Sequence, residues 1–438
     1  MTSSSLYKNR PFLALWLAQI LTQVGTNMLS FVLALRVFKL TESNTAVGVL
    51  MLMVGVATLF FGASAGVLVD RWEKKSVLIA VNFLRFLLLA LFIFTSESPL
   101  LIIILAFIFT VITQFFVPAE GAIIPNLVRE SDLLRANSLF TFTLYASIIC
   151  GFVGSGPALK FFGIDNVFIF ISFFFLLSTF LVTFLPPRLG LLENIVSNIK
   201  KIFIGPRTEG FFSGSGFLFF DNSQILNWKE FFRELREGIS FIRTKKPVFQ
   251  AIIIMAFTQV IVAILLVIAP GFAVQFLGIE IEDASLVIML PAALGMIIAS
   301  LLLSHYGSRF SRKSMRTNGL LAVAASLLLI FLVQRLGFFV LPLVIFFLFA
   351  LGIGNALINV PAQTILQEET EAKMRGRVYG VLSSLISVGS SLPAVLAGLL
   401  ADIFGVGGVI LSLSAVVFLV FYLCRRDEGK NLLKSYVS

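Results

Sequence analysis

Long apolar runs separated by short polar strings fill most of the chain. Twelve of them lie at 12–37, 46–69, 76–95, 99–120, 136–160, 164–185, 248–277, 283–304, 316–336, 338–360, 376–401 and 405–424. A helix of about twenty apolar residues crosses the hydrocarbon core of a bilayer, so each run predicts one membrane-spanning helix. The runs are continuous rather than alternating and far exceed the length of a barrel strand, which argues against a β-barrel. The pattern specifies an all-α membrane protein with twelve transmembrane helices. An even number of spans leaves both ends of the chain on one side.

The polar strings decide which side. Of the 33 Lys and Arg, 28 fall in the two tails and in alternate loops. Four occupy the opposite loops and adjoining span ends (Arg36, Lys39, Lys160 and Arg335), and Arg85 lies within a span. Loops rich in Lys and Arg stay on the cytoplasmic side. The expectation is a multi-pass protein of the cell (inner) membrane, with both termini and the long central stretch in the cytoplasm. The net charge of +10 is then loop charge facing anionic headgroups, and no nucleic-acid partner is expected. At 58% hydrophobic and 13% charged residues the chain needs lipid as its solvent. The N-terminus leads into its first run without a small-residue cleavage site, so that run reads as a retained span. Cys150 and Cys424 both lie in apolar runs and imply no disulfide framework.

The chain also repeats itself. LTQV at 21–24 returns as FTQV at 257–260, and DRWEKKSV at 70–77 as SRFSRKSM at 308–315. VPAE at 117–120 returns as VPAQ at 360–363, and GPALKFFG at 156–163 aligns with GLLADIFG at 398–405. The offsets are 236, 238, 243 and 242, and the order is kept. Two homologous six-helix halves in the same orientation follow, a known transporter architecture. The expected division is an N-terminal bundle at 1–185, a cytoplasmic central loop at 186–247, and a C-terminal bundle with its tail at 248–438.

On these residues the chain resembles the major facilitator superfamily, over nearly its whole length outside the central loop. Gly66, Asp70, Arg71, Lys74 and Lys75 look like that superfamily's G-x-L-x-D-R-x-G-R-K signature, with Glu73 in place of the signature Gly. The second-half copy has Ser308 where the acid stands, with Arg309 and Lys313 keeping basic positions. FFVPAEGAIIPNLVRESDLLRANSL at 115–139 and ELREGISFIRTKKPVF at 234–249 resemble bacterial exporters of the macrolide and siderophore efflux type; lysophospholipid transporters are similar in the first stretch. The resemblance implies alternating access and a cytoplasmic gate built from these loop residues, a latch between the halves that favours the outward-open state. A solvated turn that only sets topology is the other reading of the same string.

Polar side chains within spans are costly against lipid and belong in the bundle interior. The first span carries Gln19, Gln23 and Asn27 on one helical face, and the tenth carries Asn355, Asn359 and Gln363 at the same spacing, Gln363 lying at the cytoplasmic edge. The fourth span offers Thr110 and Gln114, the seventh Thr258 and Gln259. In the resembled fold these four spans line the central path, which implies that these residues form a substrate cavity. Hydrogen bonding between helices would use the same amides. Neutral amides beside apolar surface, with Phe115 and Phe116 next to Gln114, suit a hydrophobic or amphipathic small molecule better than a sugar.

Other features refine this picture. Gly151, Gly154 and Gly156 allow close helix approach and Pro157 bends the fifth span, partly resembling a drug-antiporter signature, with Lys160 and Phe161 replacing its trailing glycines. Relatives often place an Asp after the Gly of the first span, where Thr26 stands here. Glu120 and Asp70 remain as candidate coupling carboxylates, with Glu120 and Arg85 as a proton or charge relay, so proton coupling is implied by resemblance. Arg85 is expected either to snorkel or to pair with Glu120. In the central stretch Trp228, Phe231, Phe232, Leu235, Ile239 and Ile242 share one helical face, which predicts an amphipathic helix on the membrane surface. His305 is the only histidine, and no Cys or His cluster or P-loop spacing is present. The expectations are therefore no enzyme, no cofactor and no metal, but a monomeric exporter of a small molecule. A lipid translocator on the same fold is the alternative.

Overall fold

The computed structural model describes residues 8–93, 98–129, 132–186, 240–306, 309–334, 340–370 and 375–437. Among them there is no strand. The first half contains α1 (Arg10–Thr41), α2 (Asn44–Arg71), α3 (Lys74–Ile93), α4 (Pro99–Thr113), α5 (Phe116–Leu127) and α6 (Leu133–Thr183). The second contains α7 (Lys246–Gly271), α8 (Leu290–Tyr306), α9 (Arg312–Val333), α10 (Val340–Glu369) and α11 (Arg375–Val437). Two π-helical segments, Phe272–Phe276 and Ser285–Met289, join α7 to α8. Helix starts follow from capping residues. Asn9, Ser43, Ser98 and Ser311 each accept a backbone N–H through the side chain, and Pro11 and Pro99 sit in first turns where no intrahelical donor is needed.

The twelve expected runs map onto these helices with one correction. The fourth run is broken at Gln114 and Phe115, leaving α4 and α5. Pro118 has no N–H to offer the Gln114 carbonyl, which explains the break. Runs 5 and 6 both lie in α6, and runs 11 and 12 in α11, each pair meeting as two helices at one non-helical glycine, where the sequence separates the runs. Eleven described helices are therefore long and apolar enough to span, and the last, Gly389–Arg426, holds two crossings across Gly405. Gly163 has φ 74° and ψ 164°, and Gly405 has φ 79° and ψ 156°. That region is open to glycine almost alone. The two glycines are the final residues of the aligned GPALKFFG and GLLADIFG strings, so the internal repeat is carried down to backbone angles.

Antiparallel packing gives the molecule two ends. One carries residues 8–9, 72–73, 128–129, 186 and 309–311; it is called the terminal end. The far end carries residues 42–43, Gly163, 277–284 and Gly405. At the far end the halves share one apolar core, which includes Phe31, Val47, Phe272, Ala394 and Ala397. At the terminal end, among the described residues, each half has its own. Phe12, Leu15, Val69, Leu78 and Phe116 form one, and Ile242, Val248, Ile252, Leu366 and Val378 the other. Ile242 thus packs inside the second half, not on a membrane-surface face as expected; Trp228, Phe231, Phe232, Leu235 and Ile239 lie outside the described residues.

Gly405→Ala and Gly163→Ala should each cost about 1–3 kcal/mol, because a Cβ is strained at these angles. Thermal unfolding in detergent should show a lowered midpoint for both. Gly121→Ala, helical and with open space around it, should leave the midpoint within error.

Candidate substrate path and gates

At the far end, Asp402 of α11 reaches across to the first turn of α2. Its carboxylate accepts hydrogen bonds from Ser43 Oγ at 2.6 Å, Asn44 N at 2.8 Å, Asn44 Nδ2 at 3.0 Å, Thr45 N at 2.9 Å and Thr45 Oγ1 at 2.6 Å. Backbone N–H groups at a helix start have no helical partners and carry partial positive charge, so a carboxylate belongs there. Here that carboxylate comes from the other half. Gly398, one turn earlier, lets α11 approach closely; a Cβ there would sit 2.5 Å from the Asn44 carbonyl oxygen.

The repeat places Lys160 at the position matching Asp402, and it too reaches the opposite half, binding Asp283 at 2.5 Å. Lys39 adds a longer pair with Glu282 at 3.6 Å. Pro157 lies inside α6 without breaking it, but its missing N–H leaves the Val153 carbonyl without a helical donor. Ser285, at the start of the second π segment, donates to that carbonyl at 3.2 Å and accepts the Gly156 N–H at 2.8 Å. Gly156 and Pro157 therefore contribute to a joint between halves.

The terminal end is bonded differently. Lys74 Nζ donates to the Trp72 carbonyl at 3.2 Å and also reaches the Val69 carbonyl, while Lys75 donates to Thr183 O at 2.8 Å. These lysines close helix C-termini, where cations are favoured. Arg312 and Glu368 form a two-pronged pair at 2.7 and 3.0 Å. Arg309 lies over the Tyr306 ring, Lys313 is exposed, and Gly66 has open space around it. Each of these bonds stays inside its own half. The side chains of Asp70 and Arg71 lie outside the described residues.

Of the expected cavity residues, Thr258, Asn359 and Asn355 form a ladder between α7 and α10. Thr258 Oγ1 donates to Asn359 Oδ1 at 3.1 Å, and Asn359 Nδ2 donates to Asn355 Oδ1 at 3.0 Å. Thr22 and Thr258, matched by the repeat, are both 1% exposed, whereas their neighbours Gln23 and Gln259 are not buried. Asn27 donates to Gln23 O. Gln19 is buried against Phe140 O, with its Oε1 unpartnered. Gln114 donates to Thr58 Oγ1 at 3.2 Å and Thr110 to Ala106 O. Gln363 is half-buried.

Arg85 does not snorkel. It is 1% exposed and its guanidinium lies 4.9 Å from the Phe116 ring centre, 5.5 Å from Phe175 and 5.8 Å from Phe109. Stacking over aromatic faces offsets part of the desolvation of a cation. It donates to Asn82 Oδ1 at 3.2 Å; Asn82 donates to Ser178, and Ser178 to Ala18 O. Glu120, one turn beyond Phe116, is buried within electrostatic reach of Arg85, and its Oε1 has no hydrogen-bond partner. Phe115 stacks on Trp72.

Comparison with known proteins settles the family. The family model described as Major Facilitator Superfamily matches residues 15–334 and, in a second alignment, 252–435. The chain belongs to the Major Facilitator Superfamily. Its relatives include macrolide efflux protein A of Streptococcus pyogenes, 21% identical over 422 residues, covering 94% of this chain and 95% of that protein. A putative bacilysin exporter, BacE of Bacillus subtilis (strain 168), is 26% identical over 384 residues, covering 86% and 84%. Among solved structures, a mutant of the nucleoside transporter NupG aligns with a TM-score of 0.70 at 12% identity, over 95% of this chain and 99% of that one. A bacterial homologue of the lysosomal transporter Spinster aligns at 0.66 and 13%, over 97% and 98%. The protein is a multi-pass membrane protein of a transporter family with efflux relatives.

Sequence reading missed Asp402 altogether. An acid aligned with Lys160 in the repeat, facing a Ser-Asn-Thr helix start, was the available signal. Asp402→Ala should loosen the far-end joint. In a background lacking Cys150 and Cys424, labelling of Val47→Cys by an impermeant maleimide applied to the far-end face should rise severalfold when Asp402→Ala is added. Unchanged labelling would mean that the carboxylate does not hold the halves together.

Proposed function

We propose that the protein exports a hydrophobic or amphipathic small molecule across the cell membrane by alternating access, in exchange for protons. One observation carries the reading: the halves share a core and bonded joints at the far end and have separate cores at the terminal end. This is the arrangement expected when a central site faces the terminal side. The Lys and Arg distribution supports a cytoplasmic terminal end, so the state is inward-facing. The efflux relatives support export as the direction.

The substrate path runs between the halves. Gln23 and Gln259, matched by the repeat and unburied, are its proposed polar contacts, with the Thr258–Asn359–Asn355 ladder behind them. Neutral amides favour a compound with few fixed charges. Glu120 is the proposed proton carrier. It is a buried carboxylate without a hydrogen-bond partner on Oε1, and Arg85 is held nearby by three aromatic rings and Asn82. Gain or loss of a proton on Glu120 changes the net charge of that pocket, and packing around Arg85 transmits the change to α3, α5 and α6. The fold supplies binding and movement, and nothing in this reading calls for a chemical reaction.

The test uses inverted vesicles containing the protein and a lipophilic fluorescent dye. An acidic lumen should drive dye accumulation, collapse of the gradient should abolish it, and Glu120→Gln should bring the gradient-driven part close to background at normal expression. Gradient-driven uptake that survives Glu120→Gln would remove Glu120 from the mechanism. Movement of a fluorescent lysophospholipid, with no dye uptake, would turn the reading to lipid translocation.

A further inference from the structure

A cavity of about 130 Å³ lies within the second half. Its walls come from spans 7 to 10 and from the start of span 12, and they include Val262, Ala269, Phe272, Leu327, Leu351 and Ile410. All fourteen lining residues are apolar. The cavity is partly open rather than sealed, and its shape needs a cause.

The backbone supplies one. The segments Phe272–Phe276 and Ser285–Met289 are π-helical, and a π turn widens a helix by an extra residue. Phe272 begins the first, Met289 ends the second, and both line the cavity. Such segments are frequent at functional sites. Collapse is resisted by backbone contacts next to it: Gly352 meets the Ala292 carbonyl, and Gly295 the Phe349 carbonyl, with no room for a Cβ. Spans 8 and 10 thereby meet main chain to main chain beside the cavity, which fixes their separation there. Val262 lies one turn beyond Thr258, and Leu351 one turn before Asn355, on the same helical faces. The hydrogen-bonded ladder of Thr258, Asn359 and Asn355 is therefore about one turn nearer the terminal end.

We propose that this cavity is a binding site for an uncharged hydrocarbon group of about six carbons, an aryl ring or the end of an alkyl chain; a cavity of about 150 Å³ accepts benzene. Charged and hydrogen-bonding groups are excluded, since the walls offer them no partner. The occupant is the apolar end of an amphipathic molecule whose polar part reaches towards the ladder. Both a lipid acyl chain and the apolar arm of a transported compound provide that chemistry. The lining comes from the second half alone, and the inference does not depend on transport.

Fluorine NMR of fluorobenzene with the purified full chain in detergent tests it. The wild-type protein should give a bound signal distinct from the micelle signal. Ala269→Leu and Leu327→Phe, which fill the cavity from different helices, should abolish it. The variant whose thermal midpoint stays at or above the wild-type value is the one that counts. Absence of a bound signal in the wild type, or its survival in a folded filled variant, overturns the proposal. Repeating the measurement in phosphatidylcholine discs and with a lipophilic dye separates the sources. Loss of the signal in discs supports a lipid chain, and loss only on adding dye supports the arm of a transported compound.

Discussion

A carboxylate from one half of the molecule holds the start of a helix in the other. Asp402 accepts two backbone N–H groups and three side-chain donors at the beginning of α2. A helix start needs such acceptors, and α2 takes its carboxylate from across the interface. The joint is strong because it is charge-assisted. It is also separable, because water and the α2 residues' own side chains can replace Asp402 when the halves part. Ser43 already caps α2 locally by accepting the Ala46 N–H. In the proposed alternating-access cycle, a bond between halves that leaves each half intact when broken suits a gate.

Pseudo-symmetry explains why two joints exist and why they differ. The aligned strings put Asp402 and Lys160 at matching places, each one turn after a glycine that lets its helix approach the other half. One position carries an acid and meets helix N–H groups; the other carries a base and meets Asp283. The geometry is repeated while the chemistry has diverged. The same divergence marks the terminal end, where the second copy of the charged loop has Ser308 in place of the acid. In the inward-facing reading, Lys74 and Lys75 serve their own half by closing helix ends, which leaves the two cores at that end free to separate.

Much of the fold was legible in the sequence because lipid imposes a simple demand. Each run must be long and apolar, and polar residues within it must face inward. The repeat was legible because it survives in short strings. The break of the fourth span at Gln114 and Phe115 was not, since Pro118 acts on a carbonyl four residues earlier inside an otherwise unbroken apolar run. The site was less accessible. Burial of Arg85 depends on rings at 109, 116 and 175, which only packing brings together. The amides of span 10 look like a cavity stripe in sequence, yet Asn355 and Asn359 are partly spent on each other and on Thr258. Asp402 escaped notice because its partners are more than 350 residues away, and only its place opposite Lys160 in the repeat marked it out.

The central claim is that the two ends of the molecule open in opposition. Double electron–electron resonance measures this most directly, with one label pair at Leu40 and Ile403 on the far end and another at Ser76 and Phe310 on the terminal end, in protein lacking both native cysteines. Each pair should show a short and a long distance, and conditions that populate the long distance at one end should populate the short distance at the other. A single fixed distance at either end, or both ends lengthening together, would contradict the account.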